Sequence, residues 1–150
     1  MVPSPWKKSV RSGTELARSS DPVYMDTSAL VKLVVPEPES DALITYLNAY
    51  ESQMTTSQIA EIELARIVNR IDDATIDEVA RLLNHQVLLP MTGPIRVRAA
   101  SLQPLGIGSL DAVHLATAVE FQPHLGSFIC YDNRIIEAAE SLDLNVVSPT

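Results

Sequence analysis

The run Val23-Tyr24-Met25-Asp26-Thr27-Ser28-Ala29-Leu30 constrains the fold more than any other stretch: three β-prone residues end in a carboxylate, and a helix-prone segment follows at once. A strand that runs straight into a helix opens an α/β unit, and in open α/β sheets ligands bind in the crevice beyond the carboxyl ends of the strands. Asp26 therefore stands where a ligand is expected. With Thr27 and Ser28 beside it, it is also a good helix cap, so capping alone competes with a site role at this point.

Strand and helix signals alternate along the rest of the chain. Helix-compatible residues 27–35 stop before Pro36 and Pro38, and a second helix is predicted over 39–50, where Leu43, Ile44, Leu47 and Tyr50 keep a helical period. Residues 53–56 form a weak strand candidate. Ser57 offers an N-cap for a helix over 57–71, Asp72-Asp73 punctuates it, and another helix is predicted over 75–84. Val87-Leu88-Leu89-Pro90 reads as a short buried strand that ends at proline. Helices follow over 95–102 and 109–121, then an interior strand over 127–131 that runs into Asp132, a helix over 134–142 and a strand over 145–147. This order predicts an α/β fold with a mostly parallel sheet covered on both faces.

A chain of 150 residues fits one domain and one core. No stretch approaches the roughly 18 uninterrupted apolar residues of a membrane span. Cys130 is the only cysteine, which rules out an internal disulfide, makes a buried apolar thiol the expected role and suits a reducing cytoplasm. Residues 1–20 carry Lys7, Lys8, Arg11 and Arg18 against Glu15 and read as a flexible basic extension ahead of a domain over 21–150. Their charge of +3, taken from the net −8 of the chain, leaves −11 on residues 21–150. Such an acidic body argues against a protein that grips nucleic acid with a broad basic face, and fits metal binding better. Nucleic acid stays open as a substrate where bound cations offset the charge.

Four acids stand out. Asp132 repeats the setting of Asp26, and the two converge if their strands are neighbours. In the helix over 109–121, Asp111 shares a stripe with Leu115 and Ala118, its fourth and seventh successors, although an acid in a first turn also answers the helix dipole. Glu63 shares a stripe with Arg66 and Arg70, while Glu61 points towards the side of Ala65 and Val68; the pattern leaves both glutamates in play, and the arginine stripe fits a surface ion-pair row as well as a phosphate-bearing substrate. Clustered carboxylates repel unless protonated or bound to cations. All-oxygen ligands suit Mg²⁺ or Mn²⁺, and two such ions about 4 Å apart can activate water for phosphodiester hydrolysis. His114 lies about 60° round the helix from Asp111, where a packed or hydrogen-bonded imidazole is expected rather than a ligand.

Taken together, Val23 to Leu30, Glu63-Leu64-Ala65-Arg66, Ser109-Leu110-Asp111-Ala112-Val113-His114-Leu115-Ala116-Thr117-Ala118 and Tyr131-Asp132 resemble a PIN-domain ribonuclease, specifically the toxin of a bacterial VapBC toxin–antitoxin pair. The resemblance implies an α/β/α sandwich and a Mg²⁺- or Mn²⁺-dependent endoribonuclease that cuts transfer or ribosomal RNA. By it, Asp26, Glu63, Asp111 and Asp132 are the metal-binding acids, and Thr27 or Ser28 helps to position water or phosphate. It also implies a homodimer inhibited by a cognate antitoxin whose basic tail enters the acidic groove. Arg66, Arg70, Arg96, Arg98 and Arg134 are candidates to guide RNA. Two rivals remain at this stage: a catalytically silent acidic groove that binds a basic peptide, and an aspartyl-phosphate phosphatase using Asp26. The second wants another acid two residues on, where this chain has Ser28.

Overall fold

The computed structural model describes residues 21–71 and 75–150. The predicted extension over 1–20 and the Asp72-Asp73 break lie outside the described residues. Strands β1 (Val23–Met25), β2 (Met54–Ser57), β3 (Val87–Leu89), β4 (Ser127–Ile129) and β5 (Val146–Val147) form one sheet of order β3-β2-β1-β4-β5. Every neighbouring pair is parallel. The first strand is therefore the central one, and its burial follows: Tyr24 and Met25 are wholly inaccessible.

Side chains on a strand alternate between faces, and β1 and β4 use that alternation to feed two cores. Val23, Met25 and Ile129 join one core with residues of α1 (Thr27–Val31), α2 (Ser40–Tyr50), α3 (Ala60–Val68) and α4 (Ile76–Leu83). Tyr24, Phe128 and Cys130 join the other, against α5 (Gly93–Ser101), α6 (Ser109–Phe121) and α7 (Asn133–Ser141). The Tyr24 and Phe128 rings stack there, with centroids 5.4 Å apart. Helices on both faces of a parallel sheet make the expected three-layer α/β/α sandwich.

From β1 the chain builds outward through β2 to β3, then returns to the other side of β1 for β4 and β5. The order of strands thus reverses between β1 and β4, and the crevice at such a switch point is where open α/β sheets bind ligands. Met25 and Ile129 are level in the ladder. The amide of Asp26 donates to the Ile129 carbonyl at 3.0 Å, so Asp26 leaves the sheet at that crevice.

Local details correct the sequence expectations. The first helix ends at Val31 rather than Val35: 3-10-type and α-type turns carry Leu33 and Val34 into the core, and the Ser40 hydroxyl donates to the Lys32 carbonyl at 2.7 Å. That bond ties the turn to α2 before Pro36 has any effect. Ser57 is the last residue of β2 and not a helix N-cap, although its Oγ accepts from the Ile59 amide at 3.3 Å. The strand Val87–Leu89 lies at the edge of the sheet, with Val87 38% exposed, so it is not buried. Among the described residues no helix is long and apolar enough to cross a membrane.

Candidate active site

Asp26 is buried with only 2% exposure. Its Oδ2 accepts from the Ser28 amide at 3.0 Å and the Ser28 hydroxyl at 2.6 Å, which caps α1 as the sequence suggested. The Tyr131 amide in turn donates to Ser28 Oγ at 3.0 Å, so the ends of β1 and β4 are laced together through one hydroxyl. Capping does not account for the whole carboxylate: Oδ1 is buried and has no hydrogen-bond partner. A buried carboxylate oxygen without donors is expensive, and a cation is one way to satisfy it.

Asp132 follows β4 beside it, as the neighbouring strands require. Its Oδ1 accepts from the Arg134 amide at 3.0 Å and caps α7, while Oδ2 lies 3.6 Å from the Arg134 guanidinium. Asp111 sits half-buried in the first turn of α6 on the stripe continued by the buried Leu115 and Ala118. Burial raises its pKa, and the charges of Asp26, Glu63 and Asp132 push it in the same direction. Four acids therefore share one field at the switch point.

Glu63, and not Glu61, belongs to this group. Glu63 Oε1 lies 2.7 Å from His114 Nε2 and accepts from the Thr27 hydroxyl at 3.3 Å, whereas Glu61 is exposed. His114 is wholly buried and bonded at both ring nitrogens, a packed and hydrogen-bonded imidazole as expected. Burial pulls its pKa down, but the hydrogen bond to Glu63 and the charges of Asp26, Glu63 and Asp111 outweigh this and leave it raised. The bonds from Tyr24 and Thr27 to His114 leave no signal in the sequence, because the partners lie 90 and 87 residues apart. Cys130 is buried, with Sγ 3.6 Å from Asp26 Oδ2; burial first and the Asp26 charge second push its thiol up to about 12, so it is a neutral neighbour and not a nucleophile.

The side chains do not form a finished cage. No three His, Cys, Asp or Glu groups among the described residues are arranged so that they could hold a metal ion as they stand. One Glu63 oxygen is occupied by His114 and Thr27, and Asp132 is turned onto Arg134. The donor set is nonetheless all oxygen, and Asp26 Oδ1 is unsatisfied. Those two facts fit a hard divalent cation. Arg66 and Arg70 lie exposed along the Glu63 stripe, and the Arg134 side chain is 81% exposed beside Asp132. Arg96 and Arg98 are exposed on α5, where Arg98 stands 3.7 Å from Glu120.

The fold is a three-layer α/β/α sandwich of parallel strands, with Asp26, Glu63, Asp111 and Asp132 brought near its switch point. The chain belongs to the PIN domain family, whose pattern it matches over residues 23–141. It is 38% identical over 131 residues to Ribonuclease VapC47 of Mycobacterium tuberculosis, an alignment covering 85% of this chain and 96% of that protein. With Ribonuclease VapC35 of the same species the identity is 39% over 130 residues, again 85% and 96%. Among solved structures, a toxin–antitoxin complex from Klebsiella pneumoniae superposes with a TM-score of 0.66 at 21% identity, over 85% of this chain and 98% of that one. M. tuberculosis VapC20, described as a sarcin–ricin loop cleaving toxin, gives 0.62 at 17% identity over 77% and 94%.

Proposed function

We propose that this chain is the toxin of a type II toxin–antitoxin pair: a Mg²⁺- or Mn²⁺-dependent endoribonuclease of the cytoplasm that cuts transfer or ribosomal RNA, works as a homodimer and is held inactive by a cognate antitoxin. The observation that carries this is the buried Asp26 carboxylate, one oxygen unsatisfied, at a switch point where Asp111, Asp132 and Glu63 add their charge. The names of the VapC relatives support a ribonuclease, and the acidic body suits a basic antitoxin segment.

Asp26, Asp111, Asp132 and Glu63 would hold the ion. When bound, a divalent cation supplies Lewis-acid stabilisation to a phosphodiester under attack by water. Ser28 engages Asp26 Oδ2 and so keeps Oδ1 for the ion, Thr27 steadies Glu63, and Arg66 and Arg134 offer exposed charge to the RNA backbone. The chain itself contributes no covalent nucleophile in this reading.

The test is incubation of purified, antitoxin-free protein with total RNA in Mg²⁺ or Mn²⁺, beside EDTA. Discrete fragments that need the metal support the nuclease. Folded protein that binds metal and cuts nothing favours the silent acidic groove, and covalent phosphorylation of Asp26 favours the phosphatase.

Four substitutions at three positions separate roles within the site. Glu63→Gln is expected to reduce cleavage by at least the roughly 10- to 100-fold typical of losing an outer partner of a metal ligand, while Glu61→Gln cuts at the wild-type rate. For Asp132, asparagine caps a helix as well as aspartate does, so Asp132→Asn loses cleavage with its unfolding midpoint unchanged. Asp132→Ala loses both, with a stability loss of about 1 kcal/mol. Paired cleavage and urea-unfolding measurements check these outcomes; equal cleavage by both glutamate variants would sink the assignment of Glu63.

A further inference from the structure

His114 is satisfied in a way that packing alone does not demand. Its neighbours on α6, Leu115, Ala116 and Ala118, are buried and apolar, yet at this position the core carries a ring with two polar nitrogens, and each of them must find a partner. Nε2 lies 2.7 Å from Glu63 Oε1 and 3.0 Å from Thr27 Oγ1, and Nδ1 lies 2.7 Å from the Tyr24 hydroxyl. An ionised carboxylate only accepts hydrogen bonds, so Nε2 carries a proton whatever the charge on the ring. In the neutral ring Nδ1 then accepts from Tyr24. The hydrogen bonds run in one direction, from Tyr24 on the central strand through His114 to Glu63 on α3.

The order of this chain matters for Glu63. Tyr24 is wholly buried, and its ring is fixed by stacking on Phe128 and by an edge contact with the imidazole, centroids 5.8 Å apart. A rigid donor holds a rigid ring in one tautomer, and the ring holds one oxygen of a carboxylate that is otherwise at the end of a flexible side chain. Oε2 takes no part in the chain.

Building on the metal-site reading above, we propose that His114 is a positioning residue for the divalent ion. Backed by Tyr24, it fixes the Glu63 carboxylate and thereby sets how tightly the site holds the cation. Outer partners that restrain a ligand in this way typically account for about 10- to 100-fold in metal affinity.

Mn²⁺ binding to the full chain, measured calorimetrically without RNA, tests the proposal in the wild type and in His114→Leu, His114→Gln, Tyr24→Phe and Asp26→Asn. Unfolding midpoints in EDTA show which variants are folded. His114→Leu is expected to weaken Mn²⁺ binding about 10- to 100-fold. His114→Gln, whose amide N–H reaches towards Glu63, recovers part of the loss, and Tyr24→Phe weakens binding by a smaller factor because Nδ1 loses its donor. A purely structural histidine would lower the midpoint and leave the affinity of the folded protein alone. Wild-type affinity in folded His114→Leu overturns the proposal; if that variant does not fold, wild-type affinity in both His114→Gln and Tyr24→Phe overturns it equally. Weaker binding by Asp26→Asn beside unchanged His114 variants removes only the positioning role. Wild-type protein that takes up Mn²⁺ no better than Asp26→Asn overturns the metal site and this inference with it.

Discussion

Asp26→Asn protein is expected to lose RNA cleavage by two orders of magnitude or more while remaining folded. The loss follows from what the carboxylate would hold: Lewis-acid stabilisation is worth several kcal/mol of barrier, and each 1.36 kcal/mol is about tenfold in rate. Folding is spared for a different reason. Asparagine keeps an oxygen to accept from the Ser28 amide and hydroxyl, the two bonds that cap α1. It also removes one negative charge from a place shared with Asp111, Asp132 and Glu63, where Asp26 Oδ1 has no donor. In EDTA the variant should therefore melt at or above the wild-type temperature. In Mn²⁺ the order reverses: a ligand at about 100 times its Kd stabilises the wild type by roughly 2.7 kcal/mol, and the variant forgoes that gain. Melting curves with and without metal, beside gel assays of cleavage, read both effects. Cleavage retained in the variant, or a metal-induced rise in midpoint as large as that of the wild type, would remove Asp26 from the metal site.

The elements that sequence reading placed well are those whose evidence is local. Asp26 and Asp132 each end an apolar strand, and the pattern of apolar residues followed by an acid and a helix survives translation into structure because a parallel strand must end before its crossover begins. Asp111 was legible from its apolar stripe on a helix of period 3.6, and Leu115 and Ala118 are indeed buried. Glu63 and Glu61 could not be separated, because a helical wheel gives the angle between two side chains and not the direction of the sheet. The choice was made by Thr27 and His114, 36 and 51 residues away. The edge position of Val87–Leu89 is hidden for a related reason: Val-Leu-Leu is equally at home in a central or an edge strand, and only the pairing order places β3 at the edge of the sheet. The first helix ends earlier than Pro36 and Pro38 suggest, because prolines are conspicuous in a sequence while the Ser40 hydroxyl that secures the earlier turn is not.

Leu115→Ala is expected to have the largest effect on stability. Leu115 is wholly buried in the core formed by β1, β4, α5, α6 and α7. Truncations of this kind remove transfer free energy and leave a cavity, together about 2–5 kcal/mol. Against a total of roughly 5–15 kcal/mol for a domain, that is a substantial fraction. For a domain of this size each kcal/mol moves the midpoint by about 2–4 °C, so a fall on the order of 10 °C is expected. Val97→Ala is the matched control: at 73% exposure on α5 it should change stability by less than about 0.5 kcal/mol. The consequence reaches the site through geometry. Asp111 and His114 stand on the same helix, four residues and one residue before Leu115, and the register of α6 against the sheet depends on the side chains beneath it. Leu115→Ala should therefore bind Mn²⁺ normally when assayed well below its midpoint and lose metal binding and cleavage together as it unfolds. A variant that melts within about 1 °C of the wild type, far less than the loss of a buried leucine predicts, would show that α6 is not packed against the sheet as described.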